Sequence, residues 1–204
     1  MSSAAVRGRV TVHEYLERER LAERKSEFYD GEIFAMAGAS RHHNTIVFNL
    51  NRLTGNALLG GPCRGFTSDL RTRLPSGLYT YPDNLIVCGK PEFAPEDFDT
   101  LINPTAVIEV LSDSTERYDT GVKFRWYQQT PSIQEIAFVS QDEPRFRVFR
   151  RGESEWTYAE AASLEQTIHL RTGDVTLSLA DVYRDVEFPA PETVVKPSAN
   201  GRPL

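Results

Sequence analysis

The amino-acid sequence predicts an α/β (α+β) fold with a mixed central β-sheet flanked by helices. Three observations do so. Segments with apolar residues at helical spacing alternate along the chain with short runs that suit strands. Two of those runs, 85–87 and 106–108, are continuously apolar, as strands covered on both faces are. With 204 residues, the chain is long enough for one domain with a substantial core.

Each element has its own warrant. Thr11-Val12-His13-Glu14 has capping-box spacing and predicts a short helix through Arg20. Residues 25–29 and 32–36 flank Asp30-Gly31 and read as a hairpin around a two-residue turn. Ser40 caps the next helix, in which His43, Ile46, Val47, Leu50, Leu53, Ala57 and Leu58 form one apolar face. Gly60-Gly61-Pro62 ends it. From Cys63 to Leu74 the pattern predicts one long strand, closed by Pro75-Ser76-Gly77. Pro82 precedes a buried strand over 83–87, and the proline- and acid-rich stretch 89–103 reads as an exposed loop. A second apolar strand covers 106–111. A helix follows over 118–129, stopped by Thr130-Pro131, because the residue before proline disfavours helical backbone. Segments 133–140 and 145–150 suit a strand pair, 155–158 a further short strand, and Ser178 caps a last short helix. Residues 1–189 are expected to form a single domain, and 190–204, rich in proline and polar residues, a disordered tail.

Hydrophobic residues make up 40% and charged residues 25% of the chain, which excludes a fibrous or largely disordered protein. Cys63 and Cys88 are too few and too unpatterned for a disulfide framework or a zinc site. Both are expected as small buried thiols in a reducing cytoplasm. No apolar run approaches bilayer-spanning length, and residues 1–12 lack a secretory apolar region, so the expected setting is soluble and cytoplasmic, with no membrane partner. The net charge of −6 argues against broad nonspecific binding to phosphates. Arginines do cluster, as Arg145, Arg147, Arg150 and Arg151 and as Arg64, Arg71 and Arg73. They serve either a nucleic-acid surface or simply the solvated faces of strands.

Chemistry concentrates in three residues. Asp83 follows Pro82 at the start of an apolar strand, Glu109 interrupts the apolar run 106–111, and Lys123 lies on the helix that follows. A carboxylate inside a buried strand is costly unless it is paired or holds a metal. Two such acids on neighbouring strands would offer oxygen ligands suited to Mg²⁺ or Mn²⁺. Taken singly, each residue has a plainer account: a Pro-Asp turn, a Glu–Arg pair, and an i, i+4 helical pair of Lys123 with Asp119. Together they support an acidic metal site without naming a reaction.

Pro82-Asp83 followed by Glu109-Val110-Leu111 resembles the PD-(D/E)XK signature of restriction-endonuclease-like nucleases. The run 108–115, with Asp119, Lys123 and Tyr127, resembles one bacterial branch, the Uma-two family of endonucleases. So does the turn Glu27-Phe28-Tyr29-Asp30-Gly31-Glu32, followed by Met36 and His43. The likeness covers about 10–186, and the ordered series is more specific than any one piece. The superfamily pattern departs here at Leu111, where its lysine would stand; the resemblance implies that Lys123 supplies that cation from the next helix.

The resemblance implies a restriction-endonuclease-like fold and a Mg²⁺- or Mn²⁺-dependent endonuclease acting on DNA. Asp83 and Glu109 would be metal ligands and Lys123 the third catalytic group. It also suggests an N-terminal acid near the metal, for which Glu27 is the candidate, an exposed strand glutamate being the other reading. His43 would be a general base or substrate contact, or else a satisfied core histidine. Tyr127 would brace Lys123 or, as the preferred reading, pack. A homodimer is a further expectation, with a strand edge near 133–139 as its contact. Two other classes stay open. One is a catalytically silent nuclease-fold module that binds nucleic acid or protein. The other is a metal-free small-molecule hydrolase using the same two acids, for which no sugar or peptide pocket is visible.

Overall fold

The computed structural model describes residues 9–36, 38–112 and 114–188; the tail expected from residue 190, and Asp113, lie outside them. Helix α1 (Val12–Leu21) starts where its sequence dictates. The Thr11 hydroxyl accepts from the Glu14 amide, and the Glu14 carboxylate accepts from the Thr11 amide at 2.8 Å. Strands β1 (Ser26–Tyr29) and β2 (Glu32–Ala35) form the expected hairpin. Asp30 and Gly31 sit at φ 47° and 84°, the left-handed pair whose twist matches the flanking strands. Helix α2 (Arg41–Ala57) is capped by Ser40, whose Oγ accepts from the His43 amide at 3.0 Å and donates to Gln141 at 2.7 Å.

The single long strand expected over 63–74 is instead two strands, β3 (Cys63–Thr67) and β4 (Arg71–Arg73), which enter different sheets. Ser68 and Asp69 turn the chain between them, with the Leu70 amide donating to the Thr67 carbonyl. Strands β5 (Tyr79–Thr80) and β6 (Asn84–Cys88) follow. The stretch 89–103 is not a loop but a hairpin of β7 (Phe93–Ala94) and β8 (Asp97–Leu101). Its acids mislead because Asp97 is buried against Arg71, Arg20 and Thr100.

Strand β9 (Ala106–Leu111) is buried throughout, as expected. The next helix comes in three parts: α3 (Glu116–Tyr118), a π-helical turn (Asp119–Lys123) and α4 (Phe124–Gln129). Strands β10 (Glu135–Ser140), β11 (Phe146–Arg151) and β12 (Trp156–Ala161) complete the large sheet. An unexpected hairpin, β13 (Thr167–Leu170) and β14 (Val175–Ser178), leads into α5 (Leu179–Val182). No helix among the described residues is long and apolar enough to cross a membrane.

The large mixed sheet runs β12-β11-β10-β9-β6-β3, with β9 and β10 parallel and the other neighbours antiparallel. One face packs Ile86, Ile108 and Val110 against Ile46 and Leu50 of α2, and against Ile168, Leu177 and Leu179. The other packs Leu85, Val107 and Leu111 against Tyr127 of α4 and Leu101 of β8. The second sheet runs β2-β1-β5-β4-β8-β7, and its Phe28 and Tyr79 pack on Tyr15 and Leu16 of α1.

Two expectations fail on this architecture, and the arginine clusters take a form of their own. Segment 133–139 offers no free edge, since β10 is hydrogen-bonded to β9 on one side and β11 on the other. Cys63 and Cys88 are not thiols: the β3–β6 register sets them directly opposite, with Cα atoms 3.9 Å apart, and they form a disulfide. Most of the clustered arginines are engaged within the chain rather than presented as a surface. Arg71 pairs with Asp97, Arg73 with Glu96, Arg147 with Glu116 and Arg150 with Glu135, while Arg151 donates to the Gln128, Thr130 and Ile133 carbonyls.

Candidate active site

The two acids meet because of strand register. The antiparallel pairing of β6 with β9 ends with Asn84 opposite Ile108, and one residue further along Asp83 stands opposite Glu109. Directly opposed residues share a face of the sheet. Each carboxylate also reaches the other strand's backbone: the Val110 amide donates to Asp83 Oδ2 at 2.8 Å, and the Asp83 amide makes a longer contact, 3.4 Å, with Glu109 Oε2. Asn84 ties this strand end to α2, donating to Asn51 Oδ1 at 2.8 Å and Thr54 Oγ1 at 3.0 Å.

The helix over the sheet supplies the counter-charge. In an α-helix, residues four apart drift by about 40° around the axis. The π-helical turn between Asp119 and Lys123 widens the spiral locally, and Asp119, Lys123 and Tyr127 all turn inward and are buried. Lys123 Nζ lies 2.8 Å from Glu109 Oε1, 3.1 Å from Glu27 Oε1 and 3.5 Å from Asp119 Oδ1. The Tyr127 hydroxyl donates to Glu109 Oε1 at 2.5 Å. Glu27 arrives from β1 in the second sheet, where the Thr80 hydroxyl donates to it and Tyr118 interacts with it from the helix.

Three carboxylates, Glu109, Glu27 and Asp119, thus surround one ammonium, and their proton affinities reflect it. Burial is the main cause that pushes Glu109 up to about 7; Lys123 opposes the rise, while Asp119 and Asp83 add to it. Burial also raises Asp119. It works against the charge on Lys123, yet Glu109, Tyr127, Glu27 and Asp119 together hold that ammonium well above its ordinary value. Glu27 is likewise opposed by burial but held below the usual carboxylate range by Lys123 and Thr80. At the mouth, His43 Nε2 lies 3.3 Å from Asp83 Oδ1. Burial opposes its protonation, and the Asp83 contact overcomes it, so its pKa is raised.

The cluster is closed at its floor and open at one side. Glu109 and Lys123 are each 4% exposed, while Asp83 and His43 are half-buried. Surface hollows elsewhere, one lined by Val12, Arg73, Leu74 and Tyr79 and another by Arg41, Asn44, Thr45 and Phe48, contain none of these side chains. Among the described residues, no three His, Cys, Asp or Glu side chains form a ready-made metal cage. The pair Asp83 and Glu109 nevertheless suits Mg²⁺, which commonly takes one or two carboxylates and completes its shell with water and substrate phosphate. The Lys123 ammonium faces three carboxylates, so this side of the cluster carries more acid than cation.

All six residues singled out from the sequence gather here: Asp83, Glu109, Lys123 and Glu27 in contact, with His43 at the mouth. Tyr127 does more than pack, because its hydroxyl bonds Glu109 rather than bracing Lys123. Sequence reasoning missed Thr80, Tyr118 and the Asn51–Asn84 pair. Of these only Asn84 carried a signal, an amide at the start of an apolar strand where asparagine is disfavoured.

Comparison with known proteins agrees with this architecture. The family model described as "Uma2: Putative restriction endonuclease" matches residues 12–180. The uncharacterized protein sll1609 of Synechocystis sp. is 36% identical over 153 residues, covering 74% of this chain and 86% of that protein. A second uncharacterized Synechocystis protein, slr1290, is 31% identical over 182 residues, covering 88% and 94%. The crystal structure of "a putative nuclease belonging to DUF820" from Anabaena variabilis ATCC 29413 aligns with a TM-score of 0.68 at 18% identity, over 85% of this chain and 97% of that one, and so shares its fold. On a match that spans most of its length, this chain belongs to the Uma2 family, described as "Putative restriction endonuclease".

Proposed function

We propose that this protein is a metal-dependent endonuclease that hydrolyses DNA phosphodiester bonds through a variant of the PD-(D/E)XK arrangement. One observation carries the reading: Asp83 and Glu109 face each other at the open end of two strands, with the Lys123 ammonium 2.8 Å from Glu109. In this reading Asp83 and Glu109 would hold Mg²⁺ or Mn²⁺, which supplies Lewis-acid polarisation of the phosphoryl oxygen and a lowered pKa for bound water. Lys123 fixes the Glu109 carboxylate and offers positive charge to the phosphoryl group as negative charge develops. Its position on the helix compensates for Leu111, the strand position where the superfamily has its lysine. Glu27 and Asp119 hold the ammonium in place, and Tyr127 orients Glu109. His43 steadies Asp83 at the mouth and is placed to exchange a proton with a leaving group.

The test is cleavage of supercoiled plasmid in Mg²⁺ or Mn²⁺. Asp83→Ala and Glu109→Gln should each lower the rate by about 100-fold or more while leaving the circular dichroism spectrum unchanged. Cleavage unaffected by both substitutions would refute the site. A second reading, a silent module that only binds, is favoured by Leu111 together with the internal pairing of the arginines. Titration calorimetry separates the two, since a silent module has no need of a divalent ion and would take up none at Asp83 and Glu109.

A further inference from the structure

Phe34 is 47% exposed on the edge strand β2, while Glu27, directly opposite it on β1, is 7% exposed. Directly opposed residues of an antiparallel pair project from the same face, with Cβ atoms roughly 5 Å apart. Phe34 therefore stands on the face of the hairpin that carries Glu27 to Lys123. Neighbouring residues fix that face independently. Phe28 turns the other way, onto Tyr15 and Tyr79, with ring centroids 4.9 and 5.9 Å away. Tyr29, two residues on from Glu27, returns to the Glu27 side and packs on Trp126 of α4 at 4.4 Å. The Phe34 ring is thus at the rim of the acidic site.

Among the described residues, nothing in the core requires a ring there. Phe34 belongs to none of the three hydrophobic clusters, and all four residues of β2 are exposed. Edge strands are ordinarily blunted with charge or proline, so an exposed aromatic on this one is a liability unless something covers it.

We propose that Phe34 is a stacking platform for an unpaired nucleobase beside the phosphate held at Asp83, Glu109 and Lys123, so that the site prefers single-stranded or locally unpaired nucleic acid. The proposal rests on the nuclease reading above. A base within a duplex already has both faces stacked, whereas an unpaired base can lay one face on a ring, whatever its identity. Charge points the same way. The net charge is −6 and the clustered arginines are mostly paired internally, so those clusters add little grip on duplex phosphates and a non-ionic contact would add to affinity.

The experiment uses the full chain with Mg²⁺ and a cleavage-resistant phosphorothioate oligonucleotide containing 2-aminopurine, single-stranded or annealed. Wild type should bind the single strand more tightly than the duplex and quench its fluorescence. Phe34→Ala should weaken single-strand binding by about fivefold or more and lose the quenching. Phe34→Trp should restore both, and Phe34→Leu, which keeps apolar area without a ring face, should not. Unchanged affinity and quenching in Phe34→Ala overturn the proposal, as does a wild-type preference for duplex. So does a Phe34→Ala chain whose only change is a smaller sedimenting species, which would make the ring a contact between copies. If Phe34→Ala keeps metal-dependent cleavage and wild-type strand preference, this inference alone fails. If wild type neither binds nor cuts any nucleic acid, the nuclease reading fails with it.

Discussion

Tyr127 shows how one hydroxyl can matter in a site built of charges. Its oxygen lies 2.5 Å from Glu109 Oε1, the same atom that faces Lys123, and both residues are fully or almost fully buried. Tyr127→Phe keeps the packing and removes only the donor to a buried carboxylate. Hydrogen bonds to charged groups contribute about 1.5–3 kcal/mol net, so the urea midpoint should fall accordingly. An unchanged midpoint would mean that the ring alone is what counts. Asp97 offers a second test at this scale. Arg71, Arg20 and Thr100 satisfy its carboxylate; burial opposes ionisation, but these partners prevail and hold its pKa at about 2. The folded value lies below the unfolded one of about 3.9, so its contribution to stability is complete above that pH and is lost as pH falls through about 2. Asp97→Asn strands the buried Arg71 and should cost about 3 kcal/mol at pH 7. Chemical denaturation at pH 7, 3 and 2 should show the gap between variant and wild type narrowing; a constant gap would rule out the ionised pair as its source. Asp83 and Glu109 were legible in the sequence because an acid in an apolar strand is anomalous. Thr80 and Tyr118 were not, because their residue types are ordinary and only tertiary position brings them to Glu27.

Elements were legible where local chemistry and tertiary packing agree. The Thr11 box, the Asp30-Gly31 turn and the strand 106–111, apolar but for Glu109, each form as their residues dictate. Reading failed where long-range pairing decides. The acidic stretch 89–103 becomes a hairpin because arginines distant in sequence neutralise it, and two cysteines become a disulfide because β3 and β6 happen to pair in that register. That disulfide closes a loop of 25 residues onto the sheet edge. A loop of this length implies a stabilisation of about 3 kcal/mol, so reduction or Cys63→Ser should lower the melting temperature by several degrees. Equal melting with and without reductant would show that the bond contributes nothing to the fold. Gly173 bears on the same corner. It sits at φ 73°, and a Cβ there would come within 2.3 Å of Leu58 Cδ2 and 3.6 Å of Cys63 Cβ. Gly173→Ala therefore combines a disfavoured backbone with overpacking, and should cost about 1–3 kcal/mol by thermal or urea unfolding.

Across the whole molecule, charge placement says more than net charge. A total of −6 reads from the sequence as an obstacle to nucleic-acid binding. The structure sharpens the point, since the two arginine clusters that offered relief are largely consumed in holding strands and helices together. Exposed cations remain, among them Arg41, Arg52, Arg64, Arg117 and Arg125, and they are divided among α2, β3, α3 and α4. An enzyme built this way would take hold of its substrate by a few contacts at the site and not by a long track of phosphates. The consequence is measurable. Each phosphate neutralised by a protein cation contributes about −0.9 for duplex, or −0.7 for single strand, to the slope of log affinity against log salt. With about two or three such contacts, the slope for this chain should lie near −2, measured by fluorescence anisotropy at 50 to 300 mM salt (roughly the range in which counterion release dominates). A slope of about −6 or steeper would mean that many more cations engage the substrate, and would overturn the reading of a grip by few contacts.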